Sequence, residues 1–131
     1  MEYIIDTDIC IDFLNGREFA IKLFEDILKN DNCYISILTH FELLKGAQNK
    51  SQEKTIQEFV NLIDAINLDE GIIKTGAEFY RNYRKKGITL STVDCLIMAT
   101  AKEKHLKIIT RNVRHYPEKE LLSEFSLGLI K

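Results

Sequence analysis

Tyr3-Ile4-Ile5-Asp6-Thr7-Asp8 opens the chain with an apolar run cut off by an acid. A short run of large apolar residues between polar ends reads as a buried strand. That strand stops at Asp6. Asp8 can cap a short helix that carries Ile9, Ile11, Phe13 and Leu14 and halts near Asn15-Gly16. Residues 18–29 then place Phe19, Ala20, Leu23, Phe24, Ile27 and Leu28 at helical spacing. Asn30-Asp31-Asn32 reads as a turn. Residues 33–37 read as a second strand. Helices are expected from 39 to about 49, over 52–63, over 71–86 and over 91–104. Residues 65–68, 107–110 and 125–130 read as further strands.

Strands that alternate with helices imply an α/β domain with a mostly parallel sheet. The length of 131 residues suits one domain, 1–131. No linker divides it: the single proline is Pro117, and the six glycines are scattered. No repeat or low-complexity stretch is present. A chain this long can bury a core without a disulfide or zinc staple.

Eighteen Lys and Arg stand against twenty Asp and Glu, a net charge of −2. That balance excludes binding to nucleic acid by bulk positive charge, though not a local basic groove. Cys10, Cys33 and Cys95 form no Cys-x-x-Cys pair and lie in apolar runs. They read as reduced, buried thiols of a cytoplasmic protein. No apolar run reaches the roughly 20 residues of a membrane span, and the N-terminus has no basic region of a signal peptide.

In open parallel sheets ligands bind beyond the carboxyl ends of the strands. Asp6 follows the first strand there, and Asn112, in Thr110-Arg111-Asn112, follows the fourth. Glu42 and Asp94 each interrupt an apolar helical pattern. On the inward stripe of their helices they would approach Asp6. Carboxylates gathered without a cation repel one another, and a divalent cation relieves this. Hard oxygen ligands select Mg²⁺ or Mn²⁺. Such a site supports metal-assisted hydrolysis of a phosphate ester.

Each residue also has a plainer role. Asp6 suits a helix cap. Glu42 and Asp94 suit solvent-facing positions on amphipathic helices. Asp8 and Asp12 read as a cap and a solvent-facing acid, and His40 and His105 as surface or satisfied histidines. The basic cluster Arg81, Arg84, Lys85 and Lys86 suits a solvated helix end as well as a phosphate contact. No nucleotide-cradling glycine motif is present.

Four segments taken together resemble the PIN-domain family, and within it the VapC-type toxin ribonucleases of toxin–antitoxin pairs. They are 3–14 with Asp6, 36–47 with Glu42, 94–101 with Asp94, and 108–116 with Asn112. The resemblance implies a three-layer α/β/α fold around a mostly parallel, four- to five-stranded sheet. It implies an Mg²⁺- or Mn²⁺-dependent endoribonuclease whose metal is held by Asp6, Glu42 and Asp94, with Asn112 assisting and Thr110 positioning a water. Many members carry aspartate where this chain has Asn112, so a one-metal mechanism is as open as a two-metal one. Arg111 and Arg114, with Arg84 and Lys85, would contact the RNA backbone. A homodimer is expected, silenced by a VapB-like antitoxin that docks on the apolar face of Phe19, Leu23 and Phe24 or that of Phe41 and Leu44.

Two other readings compete. The Asp6-Thr7-Asp8 opening also fits haloacid-dehalogenase-type phosphatases, with Asp6 as nucleophile and Asp8 as general acid. That class also needs a Gly-Asp/Asp-Asp pair after a later apolar strand, which is missing here. A non-catalytic PIN-like RNA-binding module is the other reading. Asn112 favours it, and the three retained acids oppose it.

Overall fold

Four parallel strands stand side by side in the order β3-β2-β1-β4 in the computed structural model, which describes residues 1–30 and 32–129. The strands are β1 (Glu2–Ile5), β2 (Asn32–Ser36), β3 (Ala65–Ile66) and β4 (Lys107–Ile109). The helices are α1 (Thr7–Leu14), α2 (Glu18–Asn30), α3 (Ile37–Lys45), α4 (Lys50–Ile63), α5 (Glu70–Lys85), α6 (Thr92–Lys104) and α7 (Glu124–Leu129). Two short 3₁₀ turns, Val113–His115 and Lys119–Leu121, join β4 to α7. The mostly parallel three-layer α/β/α architecture is therefore as expected, with four strands.

The pleat of β1 divides the core. Tyr3 and Ile5 pack with Ile9, Phe24, Ile27, Phe59 and Ile63 on one face. Ile4 points the other way, into Ile72, Phe79, Ile97, Met98 and Ile108. Strands buried on both faces read as unbroken apolar runs rather than alternation, which explains Tyr3-Ile4-Ile5. Phe24 is buried against the tilted ring of Phe13 and edge-to-face with Phe59. Each such side chain contributes about 1.5–3 kcal/mol of burial. Because Leu23 and Phe24 lie in this core, the face assigned to them and Phe19 is not open to a partner.

Helix α6 is apolar nearly all round because it lies between the sheet and α5. The two helices run antiparallel: Gly71 of α5 lies against Glu103, and Gly76 against Cys95, Leu96 and Ala99. A Cβ on Gly76 would come within 3.0 Å of Leu96 Cδ2. This pairing carries the basic end of α5, with Arg84 and Lys85, toward the α6 N-terminus and Asp94.

Three expectations shift. The first helix is capped by Asp6, whose side chain accepts from Thr7 N, and not by Asp8. Strand β2 ends at Ser36, whose hydroxyl caps α3 through Leu38 N, so Ile37 is helical. The last strand, expected over 125–130, is instead helix α7 as far as Leu129, with Ile130 outside the described residues. Of the fifth strand only a single parallel bridge, Ile108 to Leu122, remains. Helix α7 satisfies the open edge of β4 with side-chain atoms: Ser126 Oγ donates to Ile108 O at 2.6 Å and accepts from Thr110 N at 2.9 Å. The alternation at 125–129 mimicked a strand, while Ser123 and Ser126 supplied the turn and the edge contact. Of the expected turn at 30–32, Asn30 closes α2, Asn32 opens β2, and Asp31 lies outside the described residues.

Candidate active site

Asp6 stands where β1 ends and α1 begins, beside β4 through the Ile5–Ile109 pairing. Its backbone N donates to Ile109 O at 2.9 Å. The neighbouring strand thus sets Thr110 against it. Asp6 Oδ1 accepts from Thr7 N at 2.8 Å, and Oδ2 accepts from Thr110 Oγ1 at 2.7 Å. Asn112 N donates to the same Thr110 oxygen at 2.9 Å. Asp6 is only 8 % exposed. Burial, and after it the Asp8 charge, push its carboxyl up to about 6, against the opposing hydrogen bonds of Thr110 and Thr7.

Glu42 arrives from the next strand over. It lies on α3, which Ser36 starts at the end of β2. Its Oε1 accepts from Thr7 Oγ1 at 2.7 Å, and that hydroxyl lies 3.0 Å from Thr39 Oγ1. One residue, Thr7, therefore links the Asp6 cap to Glu42. Asp94 comes from the other layer, in the first turn of α6, where Ser91 Oγ accepts from Asp94 N at 3.0 Å. An acid in that turn also suits the helix dipole. Its side chain keeps 19 % exposure, and His115 Nδ1 lies 3.9 Å from Oδ2.

The sequence-predicted acids thus reach one edge of the sheet, but not one coordination shell. Among the described residues, no three Asp, Glu, His or Cys side chains are close enough to enclose a metal ion. Thr7 stands between Asp6 and Glu42. The donors present are carboxylate, hydroxyl and amide oxygens, which match a hard cation that keeps most of its water. The raised pKa of Asp6 marks a buried carboxylate short of positive charge. The donor chemistry fits a hydrated, hard divalent cation on these grounds.

Other residues take roles that spacing did not disclose. Asp12, expected in solvent, is buried at 4 % exposure. Arg111 Nε lies 2.7 Å from Asp12 Oδ2, and Arg17 Nε lies 3.6 Å from Oδ1. Asp8 Oδ2 accepts from Arg111 N at 3.0 Å and from Asn112 Nδ2 at 2.9 Å. Asp8 and Asp12 together clamp the loop after β4 onto α1. Arg111, read as an RNA contact, is first a structural counter-ion in this clamp. Asn112 spends its amide nitrogen on Asp8 and retains its carbonyl oxygen. Arg114, Arg84 and Lys85 stay exposed. Tyr116, quoted in the fourth segment without a role, places its hydroxyl beside Asp6 and Asp94. His105 terminates α6 in the left-handed conformation, at φ 57°, and His40 Nε2 lies 3.3 Å from Gln57 Oε1, so neither serves the site.

A separate groove of about 520 Å³ runs between α1, α3 and α4. Ile11, Leu14, Leu43, Ala47 and Ile56 line it, and Glu42 borders it. Phe41, on α3, is 63 % exposed.

The PIN domain family model matches residues 3–117. Ribonuclease VapC19 of Mycobacterium tuberculosis is 33% identical over 115 residues, covering 87% of this chain and 91% of that one. Ribonuclease VapC1 of Methanocaldococcus jannaschii is 30% identical over 126 residues, covering 96% and 85%. A toxin–antitoxin complex from Klebsiella pneumoniae superposes with a TM-score of 0.79 at 26% identity, covering 92% and 95% of the two chains. The chain belongs to the PIN-domain family.

Proposed function

We propose that this PIN-domain chain is a divalent-metal-dependent endoribonuclease, the toxin of a VapBC-type pair. The observation that carries the reading is Asp6. It is buried at the carboxyl edge of the sheet, fixed by Thr7 and Thr110, and flanked from the two layers by Glu42 and Asp94. Relatives over nearly the whole chain are named ribonucleases.

Asp6, Glu42 and Asp94 are the residues to hold Mg²⁺ or Mn²⁺, with the Asn112 carbonyl at the rim. When bound, the cation supplies an acidified water and charge neutralisation for the leaving oxygen. The chain's own residues do the rest. Thr110 and Thr7 lock the Asp6 carboxylate so that it is oriented before substrate arrives. The Arg111 clamp holds the Thr110–Asn112 loop against α1. Arg114, next to His115 and so close to Asp94, offers a phosphate contact, and Arg84 and Lys85 extend the basic rim from the end of α5. The substrate is RNA in the cytoplasm. A homodimer is part of this reading, to be tested by light scattering.

The groove between α1, α3 and α4 suits the antitoxin. An apolar segment lying on Ile11, Leu14 and Ala47 would bring a basic side chain within reach of Glu42. Docking and inhibition would then be one event. The phosphatase alternative loses its general acid, because Asp8 is spent on Arg111 N, Asn112 Nδ2 and Ile9 N.

Partner-free protein should cleave structured RNA with Mg²⁺ or Mn²⁺ and stop on addition of EDTA. Asp6→Asn, Glu42→Gln and Asp94→Asn should each lower the rate by about 100-fold or more, as loss of a charged group at a reacting centre does. Cleavage that survives all three substitutions removes the assignment. Mapping cut ends across total cellular RNA identifies the target.

A further inference from the structure

Among the described residues, the Tyr116 hydroxyl is a buried polar group at this edge whose presence the fold does not explain. Its ring belongs to the core layer of Ile4, Ile97, Met98 and Ile108, and the residue is 1 % exposed. Its hydroxyl has no hydrogen-bond partner of ordinary geometry among the described residues. Yet it lies beside Asp6, with Asp94 also near. A phenylalanine would fill the same space without burying an unpaired donor, which costs free energy. Thr110 is different, since its hydroxyl already serves Asp6 and Asn112.

The lone pairs of Asp6 give the hydroxyl a use. A carboxylate offers about four acceptor positions. Thr7 N takes one on Oδ1 and Thr110 Oγ1 takes one on Oδ2. Two remain. We propose that Tyr116 is a positioning residue for the metal site: its hydroxyl donates to Asp6 in the cation-loaded state and leaves a single carboxylate lone pair to face the cation. This rests on the metal-site reading above. No proton is lost from the hydroxyl. A phenol carries its proton at neutral pH. It is a fixed donor, and Asp6 is the group it orients. Outer partners of this kind are worth about 10- to 100-fold in metal affinity.

The test uses EDTA-treated full-length wild type, Tyr116→Phe and Asp6→Asn, each titrated with Mn²⁺ and followed by thermal unfolding and by the EPR signal of free Mn²⁺. Metal-free Tyr116→Phe should melt at or above the wild-type temperature, because an unpaired hydroxyl is gone. Its Mn²⁺ Kd should rise about tenfold. Its RNA cleavage should fall at limiting Mn²⁺ and recover at saturating Mn²⁺. Asp6→Asn should lose the Mn²⁺ response. Wild-type Mn²⁺ affinity in Tyr116→Phe, with the response abolished in Asp6→Asn, overturns the role of Tyr116 alone. A metal-free Tyr116→Phe that melts well below wild type also overturns it, by making the hydroxyl a structural donor. An Asp6→Asn protein that binds Mn²⁺ normally overturns the metal site and Tyr116 with it.

Discussion

Replacing Asp6 by Asn should stabilise the metal-free protein at neutral pH, although Asp6 is placed at the centre of the site. Its carboxyl titrates at about 6 in the fold against an ordinary 3.8, chiefly because it is buried and then because Asp8 is near. The folded state therefore holds this proton to higher pH than the unfolded chain does. Below about pH 4 both states are protonated and nothing is lost. Between pH 4 and 6 stability falls, and above pH 6 the full cost remains. A rise of roughly two pKa units is worth about 3 kcal/mol. Asn keeps one oxygen for Thr7 N, but the Thr110 hydroxyl loses its charged acceptor, at about 1 kcal/mol. The net gain is about 2 kcal/mol, or roughly 5–10 °C in Tm for a chain of this size. Calorimetry of both proteins in EDTA, from pH 4 to 8, measures it. The variant should exceed wild type by that margin at pH 7.5 and fall about 1 kcal/mol below it near pH 4, where only the Thr110 loss remains. A difference that is zero or negative at pH 7.5, or that does not change with pH, refutes the reasoning. Binding of a divalent cation should restore to wild type what the buried charge costs, and do nothing for Asp6→Asn.

Four further outcomes follow from the geometry. Ser126→Ala orphans the buried Thr110 N and takes one of two donors from Ile108 O, which keeps Ser123 N, and should cost about 1–3 kcal/mol in urea unfolding; the exposed Ser51→Ala should cost almost nothing. Arg111→Ala leaves the buried Asp12 facing only Arg17. Arg111 is itself half-exposed, so the cost should be about 1–2 kcal/mol, less than for a fully buried pair. Arg114→Ala should instead leave the melting temperature unchanged and weaken RNA binding, with a shallower salt dependence. Ala47→Glu in the groove should leave cleavage by the free protein intact while weakening antitoxin capture at least tenfold in a titration, since it sets a charge in an apolar contact.

The chain's own order of residues determines the alternation of strand and helix, and with it the parallel sheet whose carboxyl edge carries Asp6. That information is local: apolar runs, caps and helical spacing are written within a few neighbouring residues. The interrupted apolar patterns around Glu42 and Asp94 were legible for the same reason. Three things depended on contacts across the fold. The segment ending at Leu129 is a helix because Ser126 meets the edge of β4, which lies sixteen or more residues back in the chain. Asp12 is buried because Arg111, ninety-nine residues away, folds over it. Tyr116 is unremarkable in sequence, and only the packing of its ring behind Ile4 sets its hydroxyl beside Asp6. Local pattern specifies which elements form and which edge they share. Which polar atom pairs with which, and which is left without a partner, is decided only when distant segments pack, because hydrogen bonds and burial act through space rather than along the chain.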